Sequence, residues 1–136
     1  MAWAIRNNVN RQKHFMTNSR AKGKRGELEY AHWLRDNFGL DARRGQQYCG
    51  LAGNADVVGG FPNTHAECKW CESLNLQRAM GQAVADCGGD AIPYVVHKKN
   101  RQDMMITVRA SDLKDFCTAV VTTITKQGEN VNDRQA

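Results

Sequence analysis

The chain has 136 residues, 41% of them hydrophobic and 24% charged, with a formal net charge of +5. That length accommodates one domain with a single core and excludes two. No apolar run is long enough to span a bilayer, and an odd set of five cysteines without a signal segment excludes a disulfide framework, so the expectation is a cytoplasmic protein with free thiols.

Lys and Arg gather at residues 6–25, 43–44 and 98–101. Such clustering favours a polyanionic partner, because neutralising phosphates releases their counterions. Residues 1–18 are polar and aperiodic apart from Trp3, Ile5, Phe15 and Met16, and predict a flexible or partly helical basic arm that is either a solvated tail or a nucleic-acid contact. From Ser19, a candidate N-cap, Leu28, Ala31, Leu34 and Phe38 recur at helical spacing until Gly39, where a positive φ would end the helix. Glu27 borders the apolar stripe of that helix and, on composition alone, reads as an exposed carboxylate. Lys22, Lys24 and Arg25 precede it near the predicted helix N-terminus, where free backbone N–H groups also favour anions. Residues 40–48 predict a short strand entering a long loop. Arg43, Arg44, Gln46, Gln47 and Tyr48 there offer donors and a stacking ring, which suits a clamp on a nucleic-acid backbone; an ordinary solvated loop is the alternative.

Asp56 ends that loop, Val57 and Val58 begin a short apolar run, and after a Gly-Gly-Phe-Pro-Asn turn the chain resumes as Thr64-His65-Ala66-Glu67-Cys68-Lys69-Trp70. In a strand Glu67 and Lys69 share one face and Cys68 and Trp70 the other. Asp56 preceding a hairpin whose return strand carries Glu-x-Lys allows two acids to share a divalent cation with an amine beside them; a surface ion pair is the simpler account. Leu74 to Cys87 predict an amphipathic helix stopped by Gly88-Gly89, with Gln77, Arg78 and Gln82 on its polar sides. Ala91 to His97 predict a strand with Pro93 near its start, Lys98, Lys99 and Arg101 a basic turn, and Met104 to Val108 a returning strand. Ser111 is a candidate cap for a last helix from Asp112 to about Ile124. Residues 126–136 lack apolar periodicity and predict a disordered tail. His65, Cys68, Cys71 and Cys87 offer four zinc-type donors, but only Cys68 and Cys71 have half-site spacing, and alternation sends Cys68 away from Glu67.

Asp56 and Glu67-Cys68-Lys69 resemble the acidic-residue, (D/E)-x-K signature of the restriction-endonuclease-like nucleases. With Gly23-x-x-Gly26-Glu27, Arg43-Arg44-Gly45 and a following helix bearing Gln82, the frame over about residues 20–110 is similar to the archaeal-type Holliday junction resolvases and their phage relatives. The resemblance implies an α/β fold in the order α-β-β-β-α-β-β-α, a mixed sheet flanked by helices, with the nuclease domain at residues 19–125. It implies a Mg²⁺-dependent endonuclease for branched double-stranded DNA, with Mn²⁺ substituting, acting as a homodimer. Glu27, Asp56, Glu67 and Lys69 would be catalytic. Asp56 and Glu67 would bind the metal directly, the Cys68 carbonyl would add a ligand, and Glu27 would complete the site directly or through water. Lys22, Lys24, Arg25, Arg43, Arg44, Gln46, Gln47, Gln82, Lys98, Lys99 and Arg101 would contact DNA. Relatives place a small hydroxyl residue near Cys49, where this chain departs. A nuclease of the same fold for nicked, flapped or damaged DNA, and a catalytically silent branched-DNA-binding module, remain as alternatives.

Overall fold

The computed structural model describes residues 2–45 and 55–135, with residues 2–19 as backbone only. The elements are α1 (Ala2–Phe38), β1 (Arg43–Arg44), β2 (Val57–Val58), β3 (Thr64–Trp70), α2 (Leu76–Asp86), β4 (Ile92–Lys98), β5 (Met105–Val108), a 3₁₀ turn (Ala110–Asp112) and α3 (Leu113–Gln135). Among the described residues five strands form one sheet in the order β1-β2-β3-β4-β5, antiparallel except for the parallel pair β3 and β4 that α2 connects. The predicted order of elements and the mixed sheet are both present. Among these residues no helix is long and apolar enough to cross a membrane.

Alternation along the two central strands sorts side chains into two layers. Ile92, Tyr94 and Val96 of β4 pack with Tyr30, Ala31 and Leu34 of α1 and with Phe116 and Ala119 of α3, whereas Val95 packs with Ala79, Met80 and Ala83 of α2. β3 runs in phase with β4, so Ala66, Cys68 and Trp70 join the α1 and α3 layer. His65, Glu67 and Lys69 therefore face α2. A run of rings, Trp33, Phe38, Phe61, Phe116 and Tyr94, links α1, the β2–β3 turn, α3 and β4 with consecutive centroids 4.9 to 5.8 Å apart. Each such pair adds about 0.5–1.5 kcal/mol beyond its buried area. The Tyr30 and Tyr94 hydroxyls meet at 2.5 Å inside this core, which fixes how α1 lies on the sheet and hence where Glu27 stands.

Three boundaries differ from the sequence expectation. α1 begins at Ala2, not near Ser19, because residues 2–18 contain neither Gly nor Pro and a helix propagates readily from a packed segment without needing an apolar period of its own. α3 likewise continues to Gln135 through the segment expected to be disordered, and its Gln127 side chain lies over Gly39. Ser111 sits inside the 3₁₀ turn that precedes α3 and so does not cap it; Arg109 bonds Asp112 across that turn at 2.7 Å. Gly39 does end α1 as expected, at φ +61°, with its N–H on the Arg35 carbonyl.

Gly45 and Gly26 are both required by close approach. A Cβ on Gly45 would strike the Ala55 carbonyl where Gly45 donates to the Asp56 carbonyl at 2.8 Å. A Cβ on Gly26 would enter the Trp70 indole. Trp70 is the residue after Lys69 and its Nε1 donates to Glu29 at 3.0 Å, so it has little room to yield. Gly26→Val is expected to destabilise the fold by about 1–3 kcal/mol, the usual cost of overpacking, read from the shift in its denaturant midpoint.

Candidate active site

Strand pairing assembles the acidic centre. Val57 pairs with Ala66 across the antiparallel β2–β3 ladder, so one step further Asp56 stands opposite Glu67. The Asp56 N–H donates to the Ala66 carbonyl at 3.2 Å, and its Oδ2 accepts the Cys68 N–H at 2.8 Å, which anchors the carboxylate on β3. Asp56 is 7% exposed and Glu67 5% exposed. Lys69, two residues along the same face, places Nζ 2.9 Å from Glu67 Oε1 and donates to Gln82 Oε1 of α2 at 3.2 Å.

The electrostatics are unequal within the ion pair. Burial pushes the Glu67 carboxyl above the usual range; the Lys69 hydrogen bond opposes this, while the negative charges of Asp56 and Asp86 reinforce it. Burial would lower the Lys69 ammonium, but the Glu67 carboxylate outweighs it and the net shift is upward. Lys69 is thus held protonated, and Glu67 is the member under electrostatic strain. Carboxylates directly opposite one another on a sheet repel, and the Lys69 ammonium beside Glu67 offsets part of that repulsion.

A family described as "Phage putative PDDEXK endonuclease" matches residues 18–135. The chain belongs to this family. No curated protein and no solved structure matches it. The mixed sheet flanked by helices is accordingly the restriction-endonuclease-like fold, and Asp56, Glu67 and Lys69 stand in the PDDEXK order.

Not all of the residues expected at a PDDEXK site come together. Asp56, Glu67, Lys69 and Gln82 do. Glu27, on α1, instead forms an ion pair with Arg44 of β1. It lies on the α1 side of the sheet, near enough to Cys68 for its charge to help raise that thiol, whose upward shift comes first from burial and then from Asp56, Glu27 and Glu67. Lys22 reaches Glu72 at 3.6 Å, and Lys24 and Arg25 are exposed. Arg43 is exposed on β1. Lys98 pairs with Glu29 at 2.6 Å, while Lys99 and Arg101 remain exposed at the hairpin tip, which Glu72 ties down through the Asn100 N–H at 2.8 Å. Gln46, Gln47, Tyr48 and Cys49 lie outside the described residues.

Among the described residues no three His, Cys, Asp or Glu side chains stand close enough to hold a metal ion. Cys68 faces the α1 layer, the Cys71 thiol turns to the Ser73 carbonyl, and the Cys87 thiol donates to the Ala91 carbonyl at 3.0 Å, so the zinc-type donors do not converge. A pair of buried carboxylates is nonetheless a fitting donor set for Mg²⁺, which keeps several waters and takes one or two protein carboxylates together with substrate phosphate.

Asp86 escapes a motif search but acts here: its charge reaches both Glu67 and His65. The signal was available, since Asp86 follows Gln82 by four residues and so shares its face of α2. His65 is 4% exposed, on the Glu67 face, and its Nε2 has no hydrogen-bond partner among the described residues. Burial lowers its pKa against the pull of Asp86 and Asp56, which favours the neutral ring.

Proposed function

We propose that this PDDEXK-family chain is a Mg²⁺-dependent, structure-selective DNA endonuclease that resolves four-way junctions by paired phosphodiester hydrolysis, as a homodimer in the cytoplasm of a prokaryotic or phage-infected cell. The observation that carries the nuclease reading is the buried Asp56 and Glu67 carboxylates opposed across β2 and β3 with Lys69 beside them.

Asp56 and Glu67 would hold Mg²⁺, or Mn²⁺ in its place, with the Cys68 carbonyl as a further oxygen donor. An ion held there would supply a water of lowered pKa and neutralise charge on the attacked phosphate. Lys69 keeps its proton on Nζ, orients the nucleophilic water and stabilises the charge that develops on the phosphoryl oxygens. Gln82 and Glu67 fix the direction of that ammonium. Glu27 supports the site from the α1 side, and its pairing with Arg44 couples it to a cation of the DNA-binding set. Lys22, Lys24, Arg25, Arg43, Arg44, Lys99 and Arg101 contact phosphates, with Gln46, Gln47 and, at the hairpin, Lys98 adding to them.

Junction resolution is the finer part of the reading and rests on the resemblance to the resolvases together with the need for two sites related by a twofold axis. A Mg²⁺-dependent assay on four-way, linear, nicked and flapped DNA tests it. Symmetric cuts near the branch point are expected. Equal cutting of linear duplex would remove the junction preference, a preference for nicks or flaps would assign a repair-type substrate, and binding without cleavage would leave a silent binding module.

A further inference from the structure

We infer that Glu27 serves the DNA and not the metal: from behind, its carboxylate aims the Arg44 guanidinium at a backbone phosphate close to the acidic centre. The two side chains meet through Arg44 Nε and Glu27 Oε2. Their exposures are unequal, 15% for the Glu27 side chain and 39% for that of Arg44, so the carboxylate is the inner member of the pair and the guanidinium the outer one. A nucleic acid arriving from solvent meets the cation first.

Strand pairing fixes both members. Arg44 pairs with Val57, whose side chain lies in the α1 layer, so Arg44 turns to the side on which Glu27 stands. Next to it, Gly45 donates to the Asp56 carbonyl and has no room for a Cβ, which pins Arg44 beside the strand that follows Asp56. Glu67 and Lys69 face the other way, toward α2. The charges that bear on Glu67 are those of Lys69, Asp56 and Asp86, whereas the charge of Glu27 falls on Cys68, within the α1 layer. Glu27 is therefore placed to act on Arg44, and the sheet stands between it and the Glu67 carboxylate.

An arginine that is free to turn must be ordered when it takes a phosphate, and the lost rotamer freedom is subtracted from the affinity. A bond at Nε, the guanidinium nitrogen nearest the stem, sets the plane of the fork in advance. This gives Glu27 an effect opposite in sign to its charge. A carboxylate near DNA repels it, so on charge alone its removal would tighten binding; removal of an aiming group weakens binding.

The assignment rests on the DNA-binding part of the reading above and is tested on the metal-free chain with labelled duplex and four-way DNA. At about 0.15 M salt, where screening blunts the long-range repulsion, Glu27→Ala is expected to weaken binding roughly fivefold. Glu27→Gln, which keeps an oxygen for Nε, should recover part of that loss, and Glu27→Ala should add nothing in an Arg44→Ala background. The rise in melting temperature that Mg²⁺ gives the parent protein should persist in Glu27→Gln. Binding by Glu27→Ala as tight as the parent's, or tighter, would overturn the assignment, as would an equal loss in the absence of Arg44. A Mg²⁺ response lost in Glu27→Gln would give the residue to the metal and overturn it as well. A parent chain that binds no DNA would remove the reading itself, and this assignment with it.

Discussion

Asp56→Asn is expected to cut the rate of DNA cleavage by roughly a thousandfold or more, because a bound divalent ion supplies several kcal/mol of transition-state stabilisation and each 1.36 kcal/mol is tenfold in rate. Glu67→Gln should do the same. DNA affinity should hold or rise in both, since each change removes a negative charge facing phosphate. Single-turnover cleavage and metal-free binding titrations separate the two effects; full activity in Asp56→Asn would end the assignment. Glu67 adds a thermodynamic signature. Its carboxyl is raised in the folded state, so between the unfolded and folded pKa values the native protein binds more protons than the unfolded chain. Stability of the metal-free protein must then fall as pH rises through that window. Glu67→Gln should lose that fall. Mg²⁺ should raise the melting temperature of the parent protein at neutral pH and not that of the variant.

Lys69→Met is expected to lower kcat by about 10²–10³-fold, the usual loss when one preorganised group facing developing charge is removed. A second consequence distinguishes it from the carboxylate variants. Without the ammonium 2.9 Å away, Glu67 keeps its burial and its acidic neighbours but loses the interaction opposing them. Its carboxyl moves higher still, and the Mg²⁺ concentration for half-maximal activity should rise. Lys69→Arg should recover little, because a planar fork does not reproduce a point charge seated between Glu67 and Gln82. Metal titrations of cleavage read both effects.

What the sequence made legible was local. His65, Glu67 and Lys69 alternate with Ala66, Cys68 and Trp70, and a period of two needs no tertiary knowledge to assign the faces. The helical period of Leu28, Ala31 and Leu34 and the Gly39 stop were equally plain. What failed to show was long-range or unpatterned. Glu27 and Arg44 each drew a separate role from the sequence, and nothing in their spacing announces that they pair, because the contact exists only once α1 has packed on β1. Lys98 is similar: it reads as one of three free cations at a turn, yet Glu29, 69 residues away in sequence, claims it. Neither the first part of α1 nor the last part of α3 carries the period of its packed half, so periodicity alone started α1 too late and ended α3 too soon.

Cys68 lies between the two side chains of greatest chemical interest, with its own thiol turned into the α1 layer and held well above the ordinary range by burial. A thiol kept from ionising is shielded from alkylation, since the thiolate is the nucleophile. Cys117 lies exposed on α3, open to a reagent in solution. The chain thus carries its own timer: a mild alkylating reagent should mark Cys117 at once and Cys68 only when β3 lets go, so the lag between the two labels reports how often that strand opens.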